Sequence, residues 1–278
     1  MTAISVSVGA ALGALDGAFS WHLYLLTLAG TIFMHGAANL INDYYDVLNK
    51  VDSQVVKTAQ YRPHPLVEGK LSLNAVRIEA CILSALALGI GVYLCLTRGW
   101  VVFAIGVTGI LAGLFYTAPP FKYKYWALGE LSVFFMWGPL MVEGSYFVQR
   151  QSLSLDAFWI SLPFGILVAL VLLANNLRDR ETDKLRGIKT LPILMSRHNG
   201  MRLYMALAIL AYGAVIAMSL FGPLTLWSLI VLLSLPLFLH LLRTMIHDTP
   251  DDADAQTAKL NTVFGILLVI SLILERML

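Results

Sequence analysis

Long apolar runs separated by short polar ones recur from one end of this sequence to the other, and such runs have few ways to fold. A helix needs about 20 consecutive apolar residues to cross the hydrocarbon of a bilayer. On that rule nine spans are expected, at residues 2–18, 22–42, 73–97, 99–117, 127–148, 156–177, 200–221, 223–246 and 258–275. With 58% of its 278 residues hydrophobic and 13% charged, the composition is that of a polytopic membrane protein, not of a soluble globule. The expected fold class is therefore all-α, a membrane helical bundle of about nine transmembrane helices. It forms one domain over residues 1–278, with the lipid bilayer as its solvent partner.

The first span is the weakest, because little chain precedes Asp16 and no basic anchor is supplied. Either the natural start lies upstream or this helix begins at the membrane surface. A cleaved signal peptide is not expected, since the positive leading segment and cleavage site are missing. Basic residues set the orientation. Lys50, Lys57, Arg62, Lys70, Arg77, Lys122, Lys124, Arg178, Arg180, Lys184, Arg186, Lys189, Arg197, Arg202, Arg243 and Lys259 follow even-numbered spans, sixteen of the nineteen Lys and Arg. The positive-inside rule then puts the large loops and the N-terminus in the cytoplasm and the C-terminus outside, in a bacterial or archaeal cell membrane. This distribution accounts for the basic residues without a nucleic acid. Cys81 and Cys95 share the third span and fit neither a disulfide framework nor a metal pair.

Two polar clusters interrupt the pattern. "NLINDYYDVLNKVDS", residues 39–53, follows nineteen residues without Asp, Glu, Lys or Arg. If the second helix persists through it, Asn39, Asp43 and Asp46 share one face, and Asn42 stands one turn before Asp46. "NNLRDRETDKLRGIKTLP", residues 175–192, ends the sixth span with Asn175, Asp179 and Asp183 at helical spacing and Arg186 one turn on. These spans are four apart, so both clusters emerge on the same side. The motifs at 39–52 and 175–186 thus look like the marks of an internal four-helix pseudo-repeat.

Carboxylates at the margin of an apolar helix are costly and point to function. Facing one another, they repel unless cations stand between them. Oxygen ligands without histidine or thiolate favour magnesium, which is usually held by one or two carboxylates together with substrate phosphates. The expected ligand is therefore phosphorylated, and a pyrophosphate bridged by two metal ions would meet the need. Arg62 and His64 in "YRPHPLVEG", and Tyr116, Lys122 and Lys124 in "YTAPPFKYK", supply cations and aromatic faces, while Arg178 and Lys189 flank the second cluster. The same lysines also satisfy the positive-inside rule, so topology alone explains Lys122 and Lys124 equally well.

These motifs resemble the two aspartate-rich motifs of the UbiA superfamily of intramembrane prenyltransferases. "NDYYD", "NNLRDRETD" and "YTAPP" carry the match over nearly the whole chain. "RPHPLVEGKLS", "LGELSVFFMWGPLMVEGSYFVQ" and "NNLRDRETDKLRGIKTLPI" are similar to the branch that prenylates 1,4-dihydroxy-2-naphthoate on the way to menaquinone. One departure stands out. The third acid expected four residues after Asp46 is replaced by Lys50, and Asp52 comes two residues later. The resemblance implies that Asn42, Asp43 and Asp46 hold one Mg2+ and that Asn176, Asp179 and Asp183 hold a second. Arg62, Lys122, Lys124 and Arg178 would grip the diphosphate of a polyprenyl diphosphate. Departure of diphosphate leaves an allylic cation, which an aromatic acceptor attacks and which the rings of Tyr44, Tyr45 and Tyr116 can shield.

Three other features are read as structural. His35, in the second span, is expected to hydrogen-bond a neighbouring helix. Glu143 lies towards the extracellular half, away from the clusters, and is read as a gating or packing residue, and "HDTPDDADAQTAK", residues 247–259, reads as a solvated loop. Pro163, Pro223 and Pro236 are expected to kink or end helices. Transfer to 4-hydroxybenzoate, haem or a glycerol lipid, and intramembrane terpene cyclisation, need the same metal chemistry and remain open. A secondary transporter is the alternative of a different class, although its charges belong near the midplane of broken helices.

Overall fold

The computed structural model describes residues 1–48, 66 and 68–277; Lys50, Asp52, Lys57, Arg62 and His64 lie outside the described residues. The chain is a bundle of helices: α1 (Thr2–Leu15), α2 (Trp21–Leu48), α3 (Leu73–Arg98), α4 (Trp100–Thr117), α5 (Gly129–Arg150) and α6 (Leu155–Arg178). Two short helices follow, α7 (Arg180–Leu185) and α8 (Leu191–Leu194), and then α9 (Arg197–Phe221), α10 (Leu226–His247) and α11 (Ala253–Met277). Among the described residues, eight helices are long and apolar enough to cross a membrane. The ninth, α1, has 14 residues. At about 1.5 Å per residue a helix of that size falls well short of the roughly 30 Å hydrocarbon core. It packs inside the bundle instead, with Ser5, Val6 and Val8 fully buried, against α2, the second half of α5 and α11.

At the centre stands α6, packed against α5, α9 and α11. Its buried residues occur all around the helix, as expected for an interior element with no polar face over most of its length. The outer helices are apolar towards the surroundings, with Ile78, Ile82, Leu86, Phe103, Ile209 and Leu220 exposed. Only a lipid environment makes such a surface stable. Several polar side chains between helices are paired: Tyr204 with Thr257 at 3.0 Å, Tyr212 with Ser234 at 2.6 Å, and the Ser145 hydroxyl donating to the Val6 carbonyl at 2.7 Å.

Glycine lets α5 and α6 cross closely. Gly138 on α5 faces Gly165 on α6, and a Cβ built on Gly165 would lie 2.8 Å from the Phe134 carbonyl oxygen and 3.0 Å from the Gly138 Cα. Small residues let two backbones meet where side chains would hold them apart. Pro139 lies beside this contact; without an N–H, it interrupts the helical ladder, and a π turn occupies Met136–Leu140. Pro163 sits inside α6, while Pro236 marks the change in α10 from a 3₁₀ stretch, Leu226–Ser234, to α-helix. His35 is held between helices by the Thr2 hydroxyl at 2.8 Å and packs edge-on against Trp137.

The acidic stretch 247–259 requires a correction. Helix α11 starts at Ala253, ahead of the expected 258, and Asp254 falls in its first turn. Pro250 suits a loop, but proline and acids just ahead of a helix also favour its N-terminus.

Gly165→Ala should destabilise the detergent-solubilised protein by about 1–3 kcal/mol, because the two opposing atoms are backbone and cannot rotate away. Gly213→Ala, whose Cβ would enter open space, should leave the melting temperature unchanged or raise it slightly. Thermal unfolding of the two variants side by side makes the comparison.

Candidate active site

The first cluster rides on α2, which continues as helix through Leu48, so that Asn42 and Asp46 stack one turn apart. The Asn42 amide donates to Asp46 Oδ2 at 3.0 Å. Asp46 is 3% exposed, and a carboxylate so placed needs partners. The loop after α4 provides them: Lys124 Nζ donates to Asp46 Oδ2 at 2.5 Å and to Asn42 Oδ1 at 3.1 Å, and the Tyr125 hydroxyl donates to Asp46 Oδ1 at 2.7 Å.

Local structure aims that loop. Pro119 and Pro120 follow directly on α4, which ends at Thr117. The chain then makes a tight 3₁₀ turn over Tyr123–Tyr125. The Tyr123 hydroxyl donates to the Ala112 carbonyl at 2.6 Å and meets Ser132 at 2.7 Å, so it ties the turn to α4 and α5. Ala127 N donates to the Lys189 carbonyl at 2.8 Å, tying it to the segment after the second cluster. Lys189 contributes this backbone contact while its side chain is exposed. Lys122 is half-buried at the head of the turn with a left-handed φ of 46°. The Lys124 ammonium lies 5.8 Å from the centroid of the Tyr116 ring and 5.6 Å from that of Tyr125, so the Tyr116 face already receives a cation. Tyr44 and Tyr45 pack edge to face on each other at 5.4 Å, and Asp43 is half-buried one turn before Asp46.

The second cluster is built where α6 stops. Asp179 is the residue at which the helix ends, with φ −90° and ψ 4°, and α7 restarts at Arg180. Asp183 lies on α7, beyond the span, and its carboxyl is pushed up to about 6 by burial and by the neighbouring Asp179 and Asp46, against the opposing pull of Lys124 and Arg186. The two clusters and Lys124 therefore share one electrostatic site at one end of the bundle. Asn176 is buried and donates its amide to Glu130 Oε1 at 2.8 Å.

Arg178 has a different occupation from the expected grip on a diphosphate. Its side chain is fully buried and its guanidinium holds both oxygens of Asp179, at 2.9 and 2.6 Å, together with Asn175 and Asp254. The physical reason is the depth of the residue, since a guanidinium without solvent must find carboxylates nearby. Glu130 was not singled out in the sequence. It is 5% exposed in the first turn of α5, and its Oε2 has no hydrogen-bond partner among the described residues. The available signal was an acid heading an apolar span. Beside Ser132 an apolar groove of about 490 Å³ runs between α4 and α5, past Ile105, Phe135 and Leu140, to Glu143.

Asn and Asp side chains offer oxygen ligands at both clusters, a donor set that fits a hard divalent cation, although the Lys124 ammonium already sits on Asn42 and Asp46. Among the described residues, no three His, Cys, Asp or Glu side chains stand as a ready-made cage.

An intramembrane enzyme with paired acidic helix ends is the class these features define. Residues 2–264 match the UbiA prenyltransferase family, and the chain belongs to that family and is a prenyltransferase. It is 31% identical over 260 residues to the 1,4-dihydroxy-2-naphthoate octaprenyltransferase of Bacillus subtilis (strain 168), covering 91% of this chain and 82% of that protein. The apo structure of a UbiA homolog from Aeropyrum pernix K1 superposes with a TM-score of 0.70 at 14% identity, over 97% of each chain. A UbiA homolog from Archaeoglobus fulgidus bound to DMAPP and Mg2+ superposes with a TM-score of 0.64 at 16% identity, over 97% of this chain and 95% of that one.

Lys124→Met should cost about 3 kcal/mol of stability, near the lower end for breaking a buried ion pair because the lysine itself is partly exposed. Added Mg2+ should raise the melting temperature of this variant more than that of the wild type, since a ligand stabilises the state it binds. A thermal-shift titration with Mg2+ reads both effects.

Proposed function

We propose that this prenyltransferase moves a polyprenyl group from its diphosphate to 1,4-dihydroxy-2-naphthoate, releasing diphosphate and CO2, as a step of menaquinone formation. The observation that carries the reaction class is that both acidic helix ends lie in one electrostatic neighbourhood at one end of an apolar bundle, with Lys124 on Asp46 and with Asp183 influenced by Asp179, Lys124 and Asp46. The acceptor rests on the naphthoate-directed relative from Bacillus subtilis, and the donor and metal on the homolog bound to DMAPP and Mg2+.

In this reading Asn42, Asp43 and Asp46 on one side, and Asn176, Asp179 and Asp183 on the other, hold two Mg2+ ions. The chemistry that bound magnesium supplies is neutralisation of the charge developing on the departing diphosphate. Lys122, Lys124 and Arg62 add positive charge around the same oxygens. The bond between the prenyl C1 and the diphosphate oxygen breaks, and its electron pair leaves with the diphosphate. Tyr116 presents a ring face to the allylic cation, as it does to the Lys124 ammonium. A new C–C bond forms from the acceptor ring, and loss of CO2 from the same carbon returns the electron pair that restores aromaticity. The surrounding helices exclude water that would otherwise quench the cation. The apolar groove along α5 offers the isoprenoid tail a path open to lipid. The cluster end faces the cytoplasm, by the positive-inside rule.

Purified protein in detergent, given Mg2+, prenyl diphosphates of several lengths, and 1,4-dihydroxy-2-naphthoate in competition with 4-hydroxybenzoate, should yield a decarboxylated prenyl naphthoquinol, read by mass spectrometry as the quinol or as the quinone formed from it by oxidation in air. Prenylated 4-hydroxybenzoate as the sole product would overturn the acceptor assignment. Asp46→Asn and Asp179→Asn should each lower turnover by about 100-fold or more, the scale on which preorganised charge contributes to catalysis, while the protein still elutes as a folded species. Chelation by EDTA should abolish turnover and Mg2+ should restore it.

A further inference from the structure

Arg178 and Asp179 are consecutive, and consecutive residues on a helix do not face each other. Here they form a two-pronged ion pair because α6 ends between them: Asp179 leaves the helical path at ψ 4°, and its carboxylate turns back onto the guanidinium. The far edge of that guanidinium is held from another part of the chain. Nη1 donates to Asp254 Oδ1 at 2.6 Å and to the Asp251 carbonyl at 3.0 Å, while Nη2 also donates to Asn175 Oδ1 at 2.7 Å. The Arg178 side chain is 0% exposed, so these contacts, not water, decide its orientation.

We propose that Asp254 is a positioning residue for the reaction, acting through Arg178 on the orientation and charge of Asp179. The inference rests on the reading of Asp179 as a ligand of a divalent cation. Two consequences follow from the geometry. An arginine with Asp179 alone would neutralise it and set a positive charge beside an incoming cation. Asp254 brings the trio to a net charge of −1, so Asp179 keeps its attraction for the ion despite its bidentate partner. The Asp254 and Asp251 contacts also fix the plane of the guanidinium, and its fork fixes the plane of the Asp179 carboxylate. Outer partners of this kind commonly set how well a ligand group binds. The start of α11 thereby becomes part of the site, some 75 residues of sequence away from it, the separation between positions 179 and 254.

Mn2+ binding to the full chain in detergent, read by electron paramagnetic resonance without any prenyl diphosphate and checked by Mg2+ competition, tests this apart from turnover. Asp179→Asn should abolish the site. Asp254→Asn should weaken Mn2+ by about tenfold or more, the usual cost of removing an outer partner of a metal ligand. Asp254→Glu, which keeps the charge, should stay within about threefold of wild type, well inside that cost. Adding Arg178→Gln to Asp254→Asn should recover affinity, because it removes the charge left uncompensated; a purely structural brace would lose further. Wild-type affinity in Asp254→Asn alongside a lost site in Asp179→Asn overturns this inference alone. Wild-type affinity in Asp179→Asn overturns the cation-site reading itself. Should Asp254→Asn not fold, a loss of tenfold or more in folded Asp254→Glu counts against the charge balance.

Discussion

A charge inside an apolar helical bundle must find its counter-charge within the protein, and this requirement organises the end of the molecule where the acidic helix ends meet. Asp46 is answered by Lys124 from a loop 78 residues away, and Arg178 is answered by Asp179 beside it and Asp254, 76 residues on. Each pairing draws distant segments together, so one set of interactions folds the loops and builds the site. The apolar remainder of the bundle supplies the low dielectric that makes these pairings strong and the water exclusion that a prenyl cation needs.

Lys124 occupies a double position. It neutralises Asp46 and lies over the Tyr116 ring. In the proposed two-metal reading, a divalent cation would compete with this ammonium for the same Asp46 oxygen. A lysine suits this exchange better than an arginine would. Its single flexible ammonium moves without breaking a two-pronged fork. Arg178 is the contrasting case, with a rigid fork held between Asp179 and Asp254.

Much of this was legible in the amino-acid order, and the reasons differ by feature. Apolar run length located eight of the nine expected spans because crossing a membrane imposes a minimum length, while the run at 2–18 forms the 14-residue α1, too short to cross. Helical spacing placed Asn42 one turn from Asp46, and α2 does continue as helix far enough to make that spacing real. The occupation of Arg178 was not legible, because a guanidinium at a helix end looks the same whether it faces a substrate or a carboxylate arriving from α11. Asp254 was hidden for the same reason, inside a stretch whose proline and acids suit a solvated loop as well as a helix start. Glu130 stood as a single acid at the head of α5, and its partner Asn176 is 46 residues away. Local patterns reveal a helix face; they do not reveal which face another helix presents to it.

The same distinction explains why the site sits at a helix terminus and not in mid-span. A carboxylate in the middle of a straight transmembrane helix can meet only what neighbouring helices offer at that depth. Where α6 breaks at Asp179, the backbone turns and carries Asp183 on α7 across towards Asp46 and Lys124. The break costs helical hydrogen bonds, yet it lets two acids from one chain segment approach the same point from different directions. A bundle that is apolar through its span can thus carry a charge-rich end, where segments distant in sequence supply each other's counter-charges.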